Sequence, residues 1–252
     1  MITKRYHFDV LDSTNKKAKE LAEKGCEHGT LVTADMQVAG VGRRGRSWSS
    51  EKGTGIYMSM VVRPQIETER ISMLTLVAAL AVAKVLEKMG VYETHQPCIK
   101  WPNDLVLQKK KICGILTELT LSGTNIDYVI IGIGINVSNQ KFPEEIKETA
   151  SSILLETGKN IDREKLIVEI WNRFKDDYEM FLQTQDFSLL KEEYEAYLVN
   201  KHQSVMVLDP AGNYEGTAMG ITKKGELIVD TGTEQRLVSS GEVSVRGIYG
   251  YV

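Results

Sequence analysis

The sequence predicts an α/β (α+β) fold in two parts, and three observations carry that expectation. Strand-like and helix-like periods alternate through the first 200 residues, and three strand-like runs between about residues 98 and 137 are joined by tight turns. Beyond residue 200 the helical spacing stops and short alternating strands take over. The division expected is therefore an α/β domain over residues 1–200 and a small β-barrel over residues 201–252.

Each element has a local reason. Tyr6-His7-Phe8-Asp9-Val10-Leu11 alternates as a strand does and leads into Asp12-Ser13-Thr14-Asn15, residue types that favour helix N-caps and turns. A helix is expected from about Asn15 to Lys24, stopped by Gly25. Strands follow at Thr30 to Asp35 and Gly55 to Val62, joined by a loop rich in glycine and arginine. Apolar residues then recur at helical spacing from Ile71 to Met89 and end at Gly90, the pattern of a packed core helix. The segment Cys98 to Leu107, the turn Gln108-Lys109-Lys110, a strand from Lys111 to Leu121 and a strand from Tyr128 to Val137 read as an antiparallel meander. Helices are expected from Asp162 to Leu182 and from Phe187 to Val199. The last part carries strands at Val205 to Leu208, Tyr214 to Ile221, Glu226 to Asp230 and Gln235 to Val238.

Composition narrows the functional classes. With 42% apolar and 26% charged residues, the 252-residue chain is that of an ordinary globular protein. A formal net charge of −3 argues against a strongly basic nucleic-acid binder while leaving room for a local basic patch. Cys26, Cys98 and Cys113 lack metal-ligand spacing and are odd in number, so neither a zinc site nor a disulfide framework is indicated. Cys113, inside Ile112-Cys113-Gly114-Ile115-Leu116, reads as a small buried hydrophobe. The amino end lacks the apolar core of a signal peptide, and no run approaches the roughly 20 apolar residues that span a bilayer, so a cytoplasmic location without membrane contact is expected.

Four segments place polar or small residues where the strand pattern calls for apolar ones. Ser13-Thr14-Asn15 is the first. The second is Gln37 with Gly40-Val41-Gly42-Arg43-Arg44-Gly45-Arg46-Ser47-Trp48, where glycines allow close backbone approach and arginines supply forked donors that suit phosphate or carboxylate. A solvated basic loop has the same composition. Lys100-Trp101-Pro102-Asn103-Asp104 is the third, and Lys100 there is open to reading as a surface lysine or as a site residue. In the fourth, Gly132 and Gly134 of Gly132-Ile133-Gly134-Ile135-Asn136 fall on one strand face and leave room for a ligand, another backbone or the long helix. No dinucleotide fingerprint and no phosphate-loop motif is present.

Together these segments resemble the catalytic module of the biotin protein ligases. The family's Gly/Arg loop matches residues 40–48, its KWPND motif residues 100–104, its KxxGIL element Lys111 to Leu116, and its GxGxN strand Gly132 to Asn136. Gln37, the Asp-Ser-Thr-Asn segment and Gly241-Glu242-Val243 also match. The resemblance implies a mixed sheet flanked by helices, followed by an SH3-like barrel. It implies that biotin and MgATP give biotinyl-5'-AMP, whose acyl group passes to a lysine of a biotin carboxyl carrier protein, with a homodimer possible. By family position Lys100 and Arg43 are the catalytic choices. Ser13, Thr14, Gln37, Gly40, Arg43, Lys100, Gly114, Ile115, Gly132 and Gly134 would hold biotin, and Arg43, Arg44, Arg46, Trp48, Asn103, Lys111 and Asn136 the adenylate. The family's usual first loop arginine is Val41 here. The DNA-binding domain that precedes some bacterial members is not expected, hence no DNA partner. A lipoate or octanoate ligase is the alternative within the same fold, and a non-catalytic anion or nucleic-acid binding module the alternative outside it.

Overall fold

A computed structural model describes residues 4–93, 96, 98–241, 244–247 and 251–252. Its larger sheet has seven strands: β1 (Lys4–Leu11), β2 (Thr30–Gln37), β3 (Gly55–Val62), β4 (Ile99–Lys100), β5 (Asp104–Leu107), β6 (Lys110–Ser122) and β7 (Asn125–Asn136). Their spatial order is β1-β2-β3-β7-β6-β5-β4. β1 and β2 run parallel, linked by helix α1 (Thr14–Glu23), and every other pairing is antiparallel, so the sheet is mixed. A helical crossover is what a parallel neighbour requires, whereas tight turns suffice for the meander.

The two sheet faces are covered differently. Helix α2 (Met73–Lys88) is buried nearly all round because it lies between the sheet and helix α4 (Arg163–Thr184). Ile131, Ile133 and Ile135 of β7 join that core. On the other face α1 packs Ala18 and Ala22 against Val32, Val61, Tyr128 and Ile130. On β3 and β7 this bulk ends at Val61 and Ile130; beyond them the same face carries Ser59, Gly132 and Gly134, with Gly114 of β6 beside Gly134.

Five further strands, β8 (Ser204–Leu208), β9 (Tyr214–Ile221), β10 (Leu227–Asp230), β11 (Gln235–Val238) and β12 (Ser244–Gly247), form an antiparallel sheet with β11 and β12 at its edges. Val205, Val207, Ile221 and Leu227 bury into the same core as α2, so the apolar interior runs continuously between the two sheets.

Several boundaries differ from expectation. The Cys98 to Leu107 segment is two short strands, β4 and β5, because Trp101-Pro102-Asn103 turn the chain. The helix expected over Phe187 to Val199 is confined to α5 (Lys191–Tyr197), where Phe187 and Leu190 instead pack as buried side chains ahead of it. β12 and the short helix α3 (Ile153–Thr157) were not anticipated, the latter capped by Ser152, whose hydroxyl accepts from the Leu155 amide.

Candidate active site

The glycine-lined end of the face forms the floor of a pocket. Gly114 on β6 stands opposite Gly134 on β7, and Gly132 stands opposite Ser59 on β3. The space each glycine leaves is used. A Cβ on Gly132 would lie 2.1 Å from Oδ1 of Asn15, and one on Gly134 or Gly114 would lie 2.7 or 2.8 Å from the Trp48 ring. Among the alternatives the sequence left open for Gly132 and Gly134, the structure therefore shows them receiving side chains of α1 and the Gly/Arg loop, while the long helix packs on the opposite face.

Hydroxyl and amide groups line the side toward α1. The Gln37 carbonyl oxygen accepts from the Thr14 amide at 2.7 Å and from its hydroxyl at 3.1 Å. Ser59 Oγ lies 2.7 Å from Thr14 Oγ1 and 2.6 Å from Asn15 Oδ1, fully buried. The Asn15 amide donates to Glu118.

Cations stand on the side toward β5 and β6. The Arg43 guanidinium donates to Asn103 Oδ1 at 2.9 Å and to the carbonyls of Ser240 and Gly241, so the loop is tied to the connection ahead of β12. Burial lowers the Arg43 pKa, with the Asp104 charge opposing that shift. Asn103 in turn donates to the Ile115 carbonyl at 3.1 Å. Lys111 Nζ lies 2.6 Å from Asp104 Oδ1 and 5.4 Å from the Trp48 ring centre, and its side chain crosses above Gly114. With Trp48 and Lys111 lying over the glycines, the pocket encloses about 50 Å³, below the roughly 300–1,000 Å³ of sites that enclose a drug-sized ligand. Room for such a ligand on the glycine floor therefore calls for the Trp48 ring to move aside.

Of the residues singled out from the sequence, Ser13, Thr14, Gln37, Arg43, Trp48, Asn103, Lys111, Gly114, Ile115, Gly132 and Gly134 line this one pocket. Five do not. Gly40 is buried beneath the loop, where a Cβ would meet Gln37 and the Trp48 carbonyl. Arg44, at φ 58°, and Arg46 are exposed on the loop. Asn136 is buried and donates to the Ser151 carbonyl at 3.0 Å, bracing the chain ahead of α3. Lys100 shares the floor's sheet face, in the cross-strand row Gly134-Gly114-Asp104-Lys100, yet is 5% exposed and covered by the Tyr251 ring. Burial lowers its pKa to about 8. Glu242 and Val243 lie outside the described residues.

Asn15, Ser59 and Tyr251 are the site residues that sequence reasoning missed. The Asn15 signal was present, since it follows Thr14 within the same polar segment; Ser59 sits in an apolar strand and Tyr251 far along the chain, and neither stood out.

A pocket with neutral hydroxyl and amide groups on one side and Arg43 and Lys111 on the other has the polarity that suits a molecule polar but uncharged at one end and anionic at the other. Comparison with known proteins gives the family. Residues 7–136 match the model of the biotin/lipoate A/B protein ligase family, and residues 203–246 match the biotin protein ligase C terminal domain. The bifunctional ligase/repressor BirA of Bacillus subtilis is 38% identical over 95% of this chain and 73% of its own length. Biotin--[acetyl-CoA-carboxylase] ligase of Paracoccus denitrificans is 30% identical over 94% and 98%. The structure of the Aquifex aeolicus biotin protein ligase in complex with biotin and ATP superposes with a TM-score of 0.84 at 33% identity, covering 97% of this chain and 99% of that one. The chain belongs to the biotin/lipoate A/B protein ligase family, among its biotin protein ligases.

Proposed function

We propose that the chain is an ATP-dependent biotin protein ligase. Biotin carboxylate attacks the α-phosphate of ATP to give biotinyl-5'-AMP and pyrophosphate, and a lysine amine of a biotin carboxyl carrier protein then takes the acyl group and releases AMP. The observation that carries this reading is the polarity of the pocket, together with relatives that are biotin protein ligases. The ureido head of biotin offers donors and an acceptor without charge, which suits Ser13, Thr14 and Gln37. Its apolar rings suit the floor of Gly114, Ile115, Gly132 and Gly134. A lipoyl or octanoyl chain has no donor or acceptor at that end for Ser13, Thr14 and Gln37 to meet.

The acyl transfer to phosphate brings two anions together, and fixed cations lower that barrier. Arg43 and Lys111 face the pocket, so we assign them the reacting carboxylate and α-phosphate, with Lys100 supplying positive charge from the next position in the row. This reverses the order in which the motif alone ranks the two lysines. Trp48 packs on the adenylate after leaving the glycine floor, and Arg44, Arg46 and Asn103 hold the loop and its turn around the phosphate. Asn136 serves by fixing the chain beside the site. Mg²⁺ fits as a companion of the ATP phosphates and not as a metal held by the chain. Asp104 is taken by Lys111 and Tyr251, and the described cluster His7, Asp9 and Asp35 does not line the pocket.

We assign the ligase chemistry to residues 1–200 and treat residues 201–252 as a second domain that supplies the carbonyls bound by Arg43. No helix among the described residues is long and apolar enough to cross a membrane, in keeping with a carrier met in the cytoplasm. The test is pyrophosphate exchange into ATP with biotin, lipoate or octanoate, with Lys111→Ala and Lys100→Ala alongside. Exchange that requires biotin and falls furthest in Lys111→Ala is expected. Exchange with lipoate or octanoate alone would overturn the substrate, and exchange with none would overturn the enzyme.

A further inference from the structure

Asp104 has two cations to choose between. In the β4–β5 ladder Lys100 stands directly opposite it, the arrangement in which oppositely charged side chains ordinarily pair. Among the described residues no ion pair joins them. Oδ1 of Asp104 instead lies 2.6 Å from Nζ of Lys111, and Oδ2 accepts a hydrogen bond from the Tyr251 hydroxyl. The same tyrosine lays its ring on the ammonium of Lys100, 3.4 Å from Nζ to the ring centre. One side chain thus contacts both the carboxylate and the cation that it does not pair with.

We propose that Tyr251 is a positioning residue for adenylate formation, holding the Asp104 carboxylate on Lys111 and off Lys100. The inference rests on the ligase reading above. Its hydroxyl fixes one carboxylate oxygen, so the other stays aimed at Lys111, whose ammonium is thereby held above Gly114 where the reacting anions meet. Its ring satisfies Lys100 by a contact that carries no charge, so the positive charge of Lys100 is left for the substrate. Burial and the neighbouring carboxylate push the Tyr251 phenol far up, which keeps it protonated and a donor throughout the neutral range. Among the described residues, the charges that act most on Lys100 are Asp104 and the cations Lys111, Arg246 and Arg46, so Asp104 is the carboxylate placed to capture Lys100 if released.

Tyr251→Phe tests this, since it keeps the ring over Lys100 and deletes only the hydroxyl. Two quantities are read in the full-length protein: the titration of Lys100 by side-chain NMR, and the biotin-dependent exchange of pyrophosphate into ATP, with a thermal melt confirming the fold. In the wild type Lys100 is expected to titrate near 8, burial being the main cause of the lowering. In Tyr251→Phe, pairing with the released Asp104 raises that value by about one unit or more, since an opposite charge within a few ångströms stabilises the ammonium. Exchange falls about tenfold in kcat with KM for biotin little changed, as misplacing a catalytic group costs turnover more than binding. If Lys100 titrates as before, or if it shifts and turnover does not, the proposal is overturned. Absence of exchange from the wild type strikes at the ligase reading alone; the Lys100 titration then still decides whether Tyr251 keeps Asp104 from Lys100.

Discussion

Two halves of one sheet face are built to opposite rules. Under α1, Val32, Val61, Tyr128 and Ile130 pack apolar bulk against Ala18 and Ala22 and close the space between sheet and helix. A few residues along the same strands, Ser59, Gly132, Gly134 and Gly114 remove that bulk, and side chains from distant segments take its place. The contrast teaches that the site is made by omission. α1 stops covering the sheet at Thr14 and Asn15, and there the floor changes from branched side chains to glycine.

That contrast can be broken most severely at the cationic edge of the open half. Lys111→Ala is expected to lower biotin-dependent pyrophosphate exchange by about 10²- to 10³-fold, the usual loss for one preorganised charge at a reacting group. The melting temperature should stay close to that of the wild type. Next comes the floor: the Cβ of Gly134→Ala would lie 2.7 Å from the Trp48 ring and displaces it, and exchange should fall by about 10²-fold because the added methyl takes up the floor assigned to the biotin rings. Trp48 fluorescence reports the displacement independently of activity.

A pH profile sharpens the comparison at the edge of the row. Burial is the leading cause of the lowered Lys100 pKa, and the charge is present below about pH 8 and lost above it. Exchange is therefore expected to decline on the alkaline side, reaching about a tenth of its plateau one pH unit above that value. Lys100→Ala should remove this limb. In the closed half the expected cost is to stability and not to rate: Ile130→Val, deleting one methylene beside Ala18 and Ala22, should cost about 1 kcal/mol in chemical denaturation and leave exchange unchanged. The smallest effect is expected at Val41, which is exposed on the loop. Val41→Arg, restoring the family's usual cation, should slow adenylate dissociation by about tenfold or less, as one exposed ionic contact is worth little.

Much of this contrast was legible in the sequence, and the reasons are local. β3 was read at its observed bounds, Gly55–Val62, because a run that is apolar but for Ser59 ends at a proline two residues on. The glycines of Gly132-Ile133-Gly134 announced a floor, since period 2 fixes which face they share. What they make room for was not legible, because Asn15 and Trp48 arrive from segments whose placement depends on the whole sheet. The motif ranks Lys100 above Lys111, whereas it is Lys111 that lines the pocket. A turn after β5 and a register shift between Leu105 and Val106 decide which of them reaches the pocket, and neither feature has a periodic signature. Phe187 to Val199 failed as a single helix because tertiary burial of Phe187 and Leu190 outweighed helical spacing.

The bond from Arg43 to the Ser240 carbonyl joins residues 197 apart in sequence. During synthesis the Gly/Arg loop leaves the ribosome long before its anchor does, and at roughly 5–20 residues per second the delay is on the order of 10 to 40 seconds. The nascent chain thus carries the Gly/Arg loop for that interval without the acceptors that later fix its arginine. The connection after β11 closes over a site whose floor and Gly/Arg loop lie in the first half of the chain.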